Sequence, residues 1–210
     1  MKGLILKDLY ITKNNSKFFL LFLSLFGAIS IVQGENLSFL PFCVIICAAC
    51  VTSSLSYDEM AKWDYTVLCM PITRRQVVKS KYLLLLIFTA FGVGFGLIVG
   101  GCSILLHSAP DFQALLLLLC ISAAIALFYG AFMLPVLFRF GPEKSRIVTM
   151  LFALALALCI GIAANFFDLQ SMAPSSGLLY ALSYLAPAAA LLLLGLSYLI
   201  SAHIYQKKQL

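Results

Sequence analysis

Long apolar runs alternate with short polar connections along the whole chain. Six of these runs are candidates for membrane-spanning helices, at about residues 18–33, 37–55, 82–106, 114–137, 147–167 and 178–200. A hydrocarbon core about 30 Å thick needs about 20 helical residues, so the first run is short and the third and fourth are ample. The pattern predicts an all-α, polytopic membrane protein with six transmembrane helices.

Residues 1–14 follow a different pattern, in which apolar residues such as Leu4 and Leu9 alternate with the polar Lys7 and Asp8. A short basic amphipathic helix lies in the plane of the membrane interface rather than crossing it. The polar stretch 14–16 predicts a turn that redirects the chain into the first span. We therefore expect an N-terminal interfacial helix over residues 1–14.

The positions of Lys and Arg set the topology. All fourteen fall in four groups, at the N-terminus, in residues 62–81, in residues 139–146 and at the C-terminus, and the connections between these groups carry none. Short cytoplasmic loops collect Lys and Arg, whereas short external loops do not. Both termini are therefore expected in the cytoplasm. Topology and contact with anionic lipid explain the basic excess, so no nucleic-acid partner is predicted.

Composition favours one membrane domain over residues 1–210, because 63% of the residues are hydrophobic and only 10% are charged. Soluble domains carry roughly 25% charged residues. Cys43, Cys47 and Cys50 share a helical face, but no His or acid near them in sequence supplies a fourth ligand. We therefore interpret them as packing residues and predict no metal site.

None of the six predicted spans contains Lys, Arg, Asp or Glu. Ion-coupled carriers usually keep an ionisable group at mid-membrane, so the energy for any transport must come from elsewhere. The third span holds Gly92, Gly96 and Gly100 at four-residue spacing, which predicts close packing against another helix. A flexible point used during conformational change is the alternative for these glycines.

The inner connection over residues 56–81 is the most informative segment. Asp58 and Lys62 stand four residues apart in the favourable order for a helical ion pair. Residues 56–59 resemble a capping box, and the alternative is that they continue the second span. Met70 and Pro71 are expected to break the helix, after which Thr73 begins a second capping sequence. The segment also contains Trp63, the single Trp of the chain, and Trp is a favoured anchor at protein interfaces.

These features predict a helical elbow on the inner surface, a name we keep for residues 56–81. The elbow would present acids, the Trp and a basic stripe formed by Arg74, Arg75, Lys79 and Lys81. It is predicted to be a docking surface for a soluble partner. The alternative is an ordinary solvated loop whose basic stripe faces lipid.

Three inner segments resemble those of small type-2 ABC exporter permeases. Residues 57–82 read YDEMAKWDYTVLCMPITRRQVVKSKY, residues 7–9 read KDL, and residues 138–146 read FRFGPEKSR. In that family an acidic and aromatic segment leads to a Leu-Pro-Val-like turn and then to a basic helix start. Here Met70 and Ile72 replace the usual Leu and Val, which keeps apolar bulk at both positions.

The resemblance implies a half-transporter of the bacterial plasma membrane. It would pair with a second copy or a paralogue and would depend on a separate ABC ATPase, which binds the ATP and Mg²⁺. This chain itself would bind no cofactor and carry no catalytic residue. Carried over to this sequence, the resemblance assigns the following residues to ATPase contact: Asp58, Glu59, Lys62, Trp63, Asp64, Met70 and Pro71, with Glu143, Lys144 and Arg146 as a second contact.

The expected function is ATP-driven export of an amphipathic or hydrophobic cargo such as a peptide, an antibiotic or a drug, because the spans are apolar throughout. Two alternatives remain open. A structural or regulatory membrane subunit that does not transport would have the same sequence features. An intramembrane enzyme is disfavoured, because His107 and His203 fall on opposite faces and no predicted span contains an acid.

Overall fold

The computed structural model describes residues 2–32, 40–68, 73–107, 112–166 and 176–207. For residues 151–166 and 176–183 it describes the backbone alone. Within these ranges the chain is helical except at Ala61, Lys62 and Thr73. The helices are α1 (Lys2–Val32), α2 (Leu40–Met60), α3 (Trp63–Leu68), α4 (Arg74–His107), α5 (Phe112–Phe166) and α6 (Ser176–Lys207). The predicted all-α class is confirmed for the part of the chain that is described.

The N-terminal helix differs from the prediction. α1 runs without interruption from Lys2 to Val32, so the predicted turn at residues 14–16 is wrong. The physical reason is that Asn and Ser disfavour a helix by well under 1 kcal/mol each relative to Ala, and neither Gly nor Pro interrupts this stretch. The helical residues on both sides are enough to keep residues 14–16 helical. The placement of residues 1–14 in the membrane interface stays a prediction.

The second inner segment also differs from the prediction. A loop was expected between spans at 114–137 and 147–167, but α5 continues through residues 138–146 with one break at Gly141 (φ 76°, ψ 169°). That backbone conformation is essentially restricted to Gly, and Pro142 follows it at the first position of the next helical segment, where Pro is favoured. One glycine therefore replaces the predicted loop.

Four of the described helical stretches are long and apolar enough to cross a membrane. They are Leu40–Met60, Arg74–Leu106, Phe112–Gly141 and Tyr184–Lys207. The first predicted span appears as the shorter apolar stretch Phe19–Ile31. Residues 147–167 are helical as far as Phe166, but most of their side chains lie outside the described part. A total of six spans stays a prediction.

The helices pack around α2, which contacts α1, α4 and α5, while α6 packs against α5 and α4. Three glycines of α4 lie where these helices approach closely. A Cβ at Gly92 would lie 2.9 Å from the Cα of Val44 on α2, and Cβ atoms at Gly96 and Gly100 would meet the side chains of Leu119 and Leu115 on α5. Absence of a side chain at these positions permits the observed spacing.

Candidate functional site

The elbow is built from the end of α2, the short helix α3 and the start of α4. Ser56 continues α2 rather than capping a new helix, and its hydroxyl donates to the carbonyl of Thr52 at 3.0 Å. The helix ends at Met60, and the chain turns at Ala61 and Lys62, where Lys62 adopts a positive φ of 48°. The predicted helical elbow is therefore present over residues 56–68 and 73–81.

The start of α4 matches the capping sequence predicted at Thr73. The backbone N–H of Thr73 donates to the side-chain oxygen of Gln76 at 3.2 Å. The backbone N–H of Gln76 donates in turn to the Thr73 carbonyl at 2.9 Å. The Gln76 side chain therefore forms its half of a capping box and satisfies the backbone donor of Thr73, whereas the Gln76 N–H bonds to the backbone carbonyl of Thr73 and not to its hydroxyl. The direction in which the chain enters α4 is fixed at this point.

Beneath the elbow lies a buried cluster of two acids and two cations, which we call the charge cluster: Lys7, Asp8, Asp58 and Lys81. Lys81 Nζ lies 2.8 Å from Asp8 Oδ1 and 2.5 Å from Asp58 Oδ2. Lys7 Nζ lies 2.5 Å from Asp58 Oδ1 and 3.3 Å from Asp8 Oδ1. Asp58 thus pairs across to α1 and α4, and not with Lys62 as the four-residue spacing predicted.

Burial makes the charge cluster energetically significant. Asp8 and Lys81 are only 1% and 2% exposed, and Ser54 adds hydrogen bonds to both, at 3.2 Å from Asp8 Oδ1 and 3.0 Å from Lys81 Nζ. The formal charges cancel, which is the condition under which buried ions are tolerated. Removing a single member leaves an uncompensated charge. The cluster therefore ties α1, α2 and α4 together at one end of the bundle.

Trp63 connects α3 to the same cluster. The ammonium group of Lys7 lies 3.9 Å from the centre of a Trp63 ring, within the range of a cation–π interaction. Trp63 is half-buried and packs against the core, rather than standing free at the surface. The predicted interface anchor is therefore also the contact that holds α3 against α1.

Tyr82 extends the connections to α6. Its hydroxyl lies 2.7 Å from the hydroxyls of both Ser197 and Ser201, and Ser197 donates to the carbonyl of Ala131 on α5 at 2.5 Å. Consecutive residues of an α-helix point about 100° apart, so Lys81 and Tyr82 contact different neighbours. The first turns of α4 thereby join the elbow to α1, α2 and α6.

Glu59 brings the second inner segment against the elbow. A Cβ built at Gly141 would lie 2.6 Å from Glu59 Oε1, so the carboxylate occupies the space that a side chain at position 141 would need. Glu59 itself is exposed. The break in α5 and the end of α2 therefore meet at the same edge of the molecule.

A family model described as ABC-2 family transporter protein matches residues 3–206, nearly the full length of the chain. The chain belongs to the ABC-2 family of transporter proteins. No curated protein and no solved structure matches it significantly. As an ABC-2 permease it is a multi-pass membrane protein, a transport component that is not itself catalytic.

The residues predicted to contact the ATPase differ in exposure in the structure of this ABC-2 permease. Glu59, Lys62 and Lys144 are exposed, whereas Asp58 is buried in the charge cluster. The backbones of Asp64, Glu143 and Arg146 are helical, but their side chains lie outside the described part, as do Met70 and Pro71 altogether. The structure therefore brings Glu59 and Gly141, one from each predicted contact segment, side by side.

Sequence reasoning missed the inward roles of Lys7, Asp8 and Ser54 in the ABC-2 permease. The amphipathic pattern of residues 1–14 suggested that Lys7 and Asp8 face water, whereas Asp8 is buried against α2 and α4. The signal available was the resemblance itself, because residues 7–9 and 80–82 both belong to the segments that matched the family pattern. The sequence pattern did not indicate that these two segments contact each other in the fold.

Proposed function

We propose that this chain is the permease half of an ATP-driven exporter, energised by a separate ABC ATPase that docks on the elbow. The observation that carries the proposal is the charge cluster, because it links the exposed elbow directly to α1 and α4. A force applied to α3 or to the end of α2 reaches two further helices through buried ion pairs. ATP and Mg²⁺ bind to the partner, and this chain supplies the pathway.

The docking surface consists of the exposed residues of the elbow, chiefly Glu59 and Lys62, with the exposed Lys144 of the second inner segment as a further contact. Asp58 has a structural part in this proposal, since its carboxylate is directed into the charge cluster. Asp64, Met70, Pro71, Glu143 and Arg146 remain proposed contacts on the strength of the resemblance.

The transporter works as a dimer with a second copy or a paralogue, in a bacterial plasma membrane and with both termini in the cytoplasm. The cargo is amphipathic or hydrophobic, such as a peptide, an antibiotic or a drug. The apolar character of the helices supports this class of cargo. Among the described residues, the ion pairs lie only at the end of the bundle that bears the elbow, so the rest of the helices offer apolar surface.

The experiment that tests this proposal is a charge swap on the elbow. The double variant Glu59→Lys with Lys62→Glu keeps the net charge and reverses its pattern on the exposed surface. When the wild-type chain is co-expressed with its ABC ATPase, we expect the two to co-purify. The swapped variant should lose about tenfold in affinity, or about 1.4 kcal/mol, because each exchanged charge would then face a like charge on the partner.

The matched control is Lys17→Glu, which reverses an exposed charge on α1, outside the elbow. Both variants are checked for membrane insertion and for thermal stability. Retention of wild-type affinity by the charge swap, with both proteins folded, would count against docking on the elbow.

A further inference from the structure

The four cations of the predicted basic stripe do not stay together in the structure. Lys81 joins the buried charge cluster. The guanidinium of Arg74 donates to the carbonyls of Gln206 at 3.0 Å and Tyr205 at 3.4 Å, and so holds the C-terminal end of α6 against the start of α4. Arg75 and Lys79 remain exposed. The stripe is thus divided between two internal roles and one exposed basic surface.

Arg75 lines an open pocket of about 220 Å³ between α4 and α6. The remaining walls come from five residues of α6: Tyr198, Leu199, Ala202, His203 and Gln206. Among the described residues, no acidic side chain lines the pocket. The polar groups therefore comprise one permanent cation, an imidazole, a phenol and an amide. These are donors suited to the oxygens of a phosphate group, which Arg recognises through its planar fork of N–H groups.

An apolar surface leads away from this pocket along α6. Leu185, Leu192, Leu196 and Leu199 recur at intervals of seven, four and three residues, so they form one face of the helix. All four are exposed, and Leu199 also lines the pocket. From Leu199 to Leu185 the helix rises about 21 Å, which exceeds the thickness of one leaflet of a hydrocarbon core of about 30 Å.

From these observations we propose that the Arg75 pocket binds the phosphate headgroup of an anionic phospholipid, whose acyl chain lies along the leucine face of α6. The basic pocket accounts for the phosphate, and the continuous apolar face accounts for a lipid rather than a free phosphate ion. Pockets of basic residues between helices at the cytoplasmic surface suit such headgroups. Arg75 belongs to the elbow, but Glu59 and Lys62, the residues proposed to contact the ATPase, do not line this pocket, and its test involves no ATPase.

The test measures lipid binding by the purified full-length chain in mild detergent, through native mass spectrometry and thermal unfolding. The probes are dioleoyl phosphatidylglycerol, dioleoyl phosphatidylcholine and inorganic phosphate, each added separately. We expect phosphatidylglycerol to bind most tightly and to raise the unfolding temperature. Arg75→Gln should weaken phosphatidylglycerol binding about fivefold, the effect of losing one cation at an anionic headgroup.

Two further variants separate charge from apolar contact. Leu199→Ser should weaken phosphatidylglycerol binding while Arg75 is intact, and Arg75→Lys should retain most of it. The matched control is Lys17→Gln, which removes an exposed cation of α1 outside the pocket and should leave binding unchanged.

Equal phosphatidylglycerol binding by the wild-type and Arg75→Gln proteins would overturn the proposal. Stabilisation by inorganic phosphate equal to that by phosphatidylglycerol, with no effect of Leu199→Ser, would overturn the assignment to a lipid. Loss of binding in Lys17→Gln to the same extent as in Arg75→Gln would show general charge attraction instead of a site and would overturn the proposal.

Discussion

Lys81 occupies the point at which the charges of three helices meet. Its ammonium group lies within 2.8 Å of carboxylate oxygens from Asp8 and Asp58, and the side chain is almost completely buried. Asp8 and Asp58 belong to α1 and α2, so their relative positions depend on a cation between them. Without it, two buried carboxylates would share the single ammonium group of Lys7.

We therefore expect Lys81→Met to destabilise the protein by about 3–5 kcal/mol, the range for breaking a buried ion pair by removing one partner. Lys79→Met is the control, because Lys79 precedes it on the same helix and is exposed, so it should change stability by no more than about 0.5 kcal/mol. The measurement is unfolding of both purified variants in the same detergent. Similar stability of the two variants would contradict the structural role of Lys81.

For individual residues, the sequence indicated which polar and charged side chains matter, but it did not indicate their long-range partners. Thr73 and Gln76 were recognised because a capping interaction joins residues three apart. The contact of Lys81 with Asp8 joins residues 73 apart, and no local pattern specifies it. An amphipathic pattern shows which residues of α1 are polar, but it does not show that one polar side faces another helix.

The break in α5 determines how the second inner segment meets the elbow. Gly141 has a φ of 76°, and the carboxylate of Glu59 fills the space beside it. The two helical segments of α5 therefore change direction at one residue, with no loop between them. Conformation and close contact both require glycine at this position.

Gly141→Ala is expected to destabilise the protein by about 1–3 kcal/mol, because Ala is strained at this φ and its Cβ would displace Glu59. Gly101→Ala is the matched control, since Gly101 lies within α4 and a Cβ there would meet nothing within 4 Å. It should cause no loss of stability. Thermal unfolding of the two variants gives the comparison, and a Gly141→Ala protein as stable as the control would contradict the account of this break.

The long apolar runs predicted that the chain forms helices, whereas the residues at which each helix begins and ends were harder to predict. Polar residues between two apolar runs look the same whether a helix ends or continues. At residues 14–16 the helix continues, and at residues 138–146 it is interrupted at Gly141 alone. The start of a new helix at Thr73 was predictable because Thr73 and Gln76 have the residue types and spacing of a capping box.

At the scale of the whole molecule, the proposed function depends on one mechanical connection. The elbow is exposed at Glu59 and Lys62. Ser54 and Lys81 bond directly to Asp8 of α1, and Asp58 is joined to Asp8 through Lys81. Membership of the ABC-2 family, matched over residues 3–206, agrees with the resemblance seen in three inner segments. The sequence alone predicted the family, because short motifs are enough to indicate it. The buried charge cluster became evident only from the folded structure.

The most direct measurement is site-specific cross-linking of the assembled transporter. A photo-reactive amino acid is placed at Lys62 in the elbow or at Lys17 on α1, and the membrane complex with its ABC ATPase is irradiated. We predict a covalent product between the permease and the ATPase from position 62 and little or none from position 17. An intact complex that cross-links from position 17 and not from position 62 would contradict docking on the elbow.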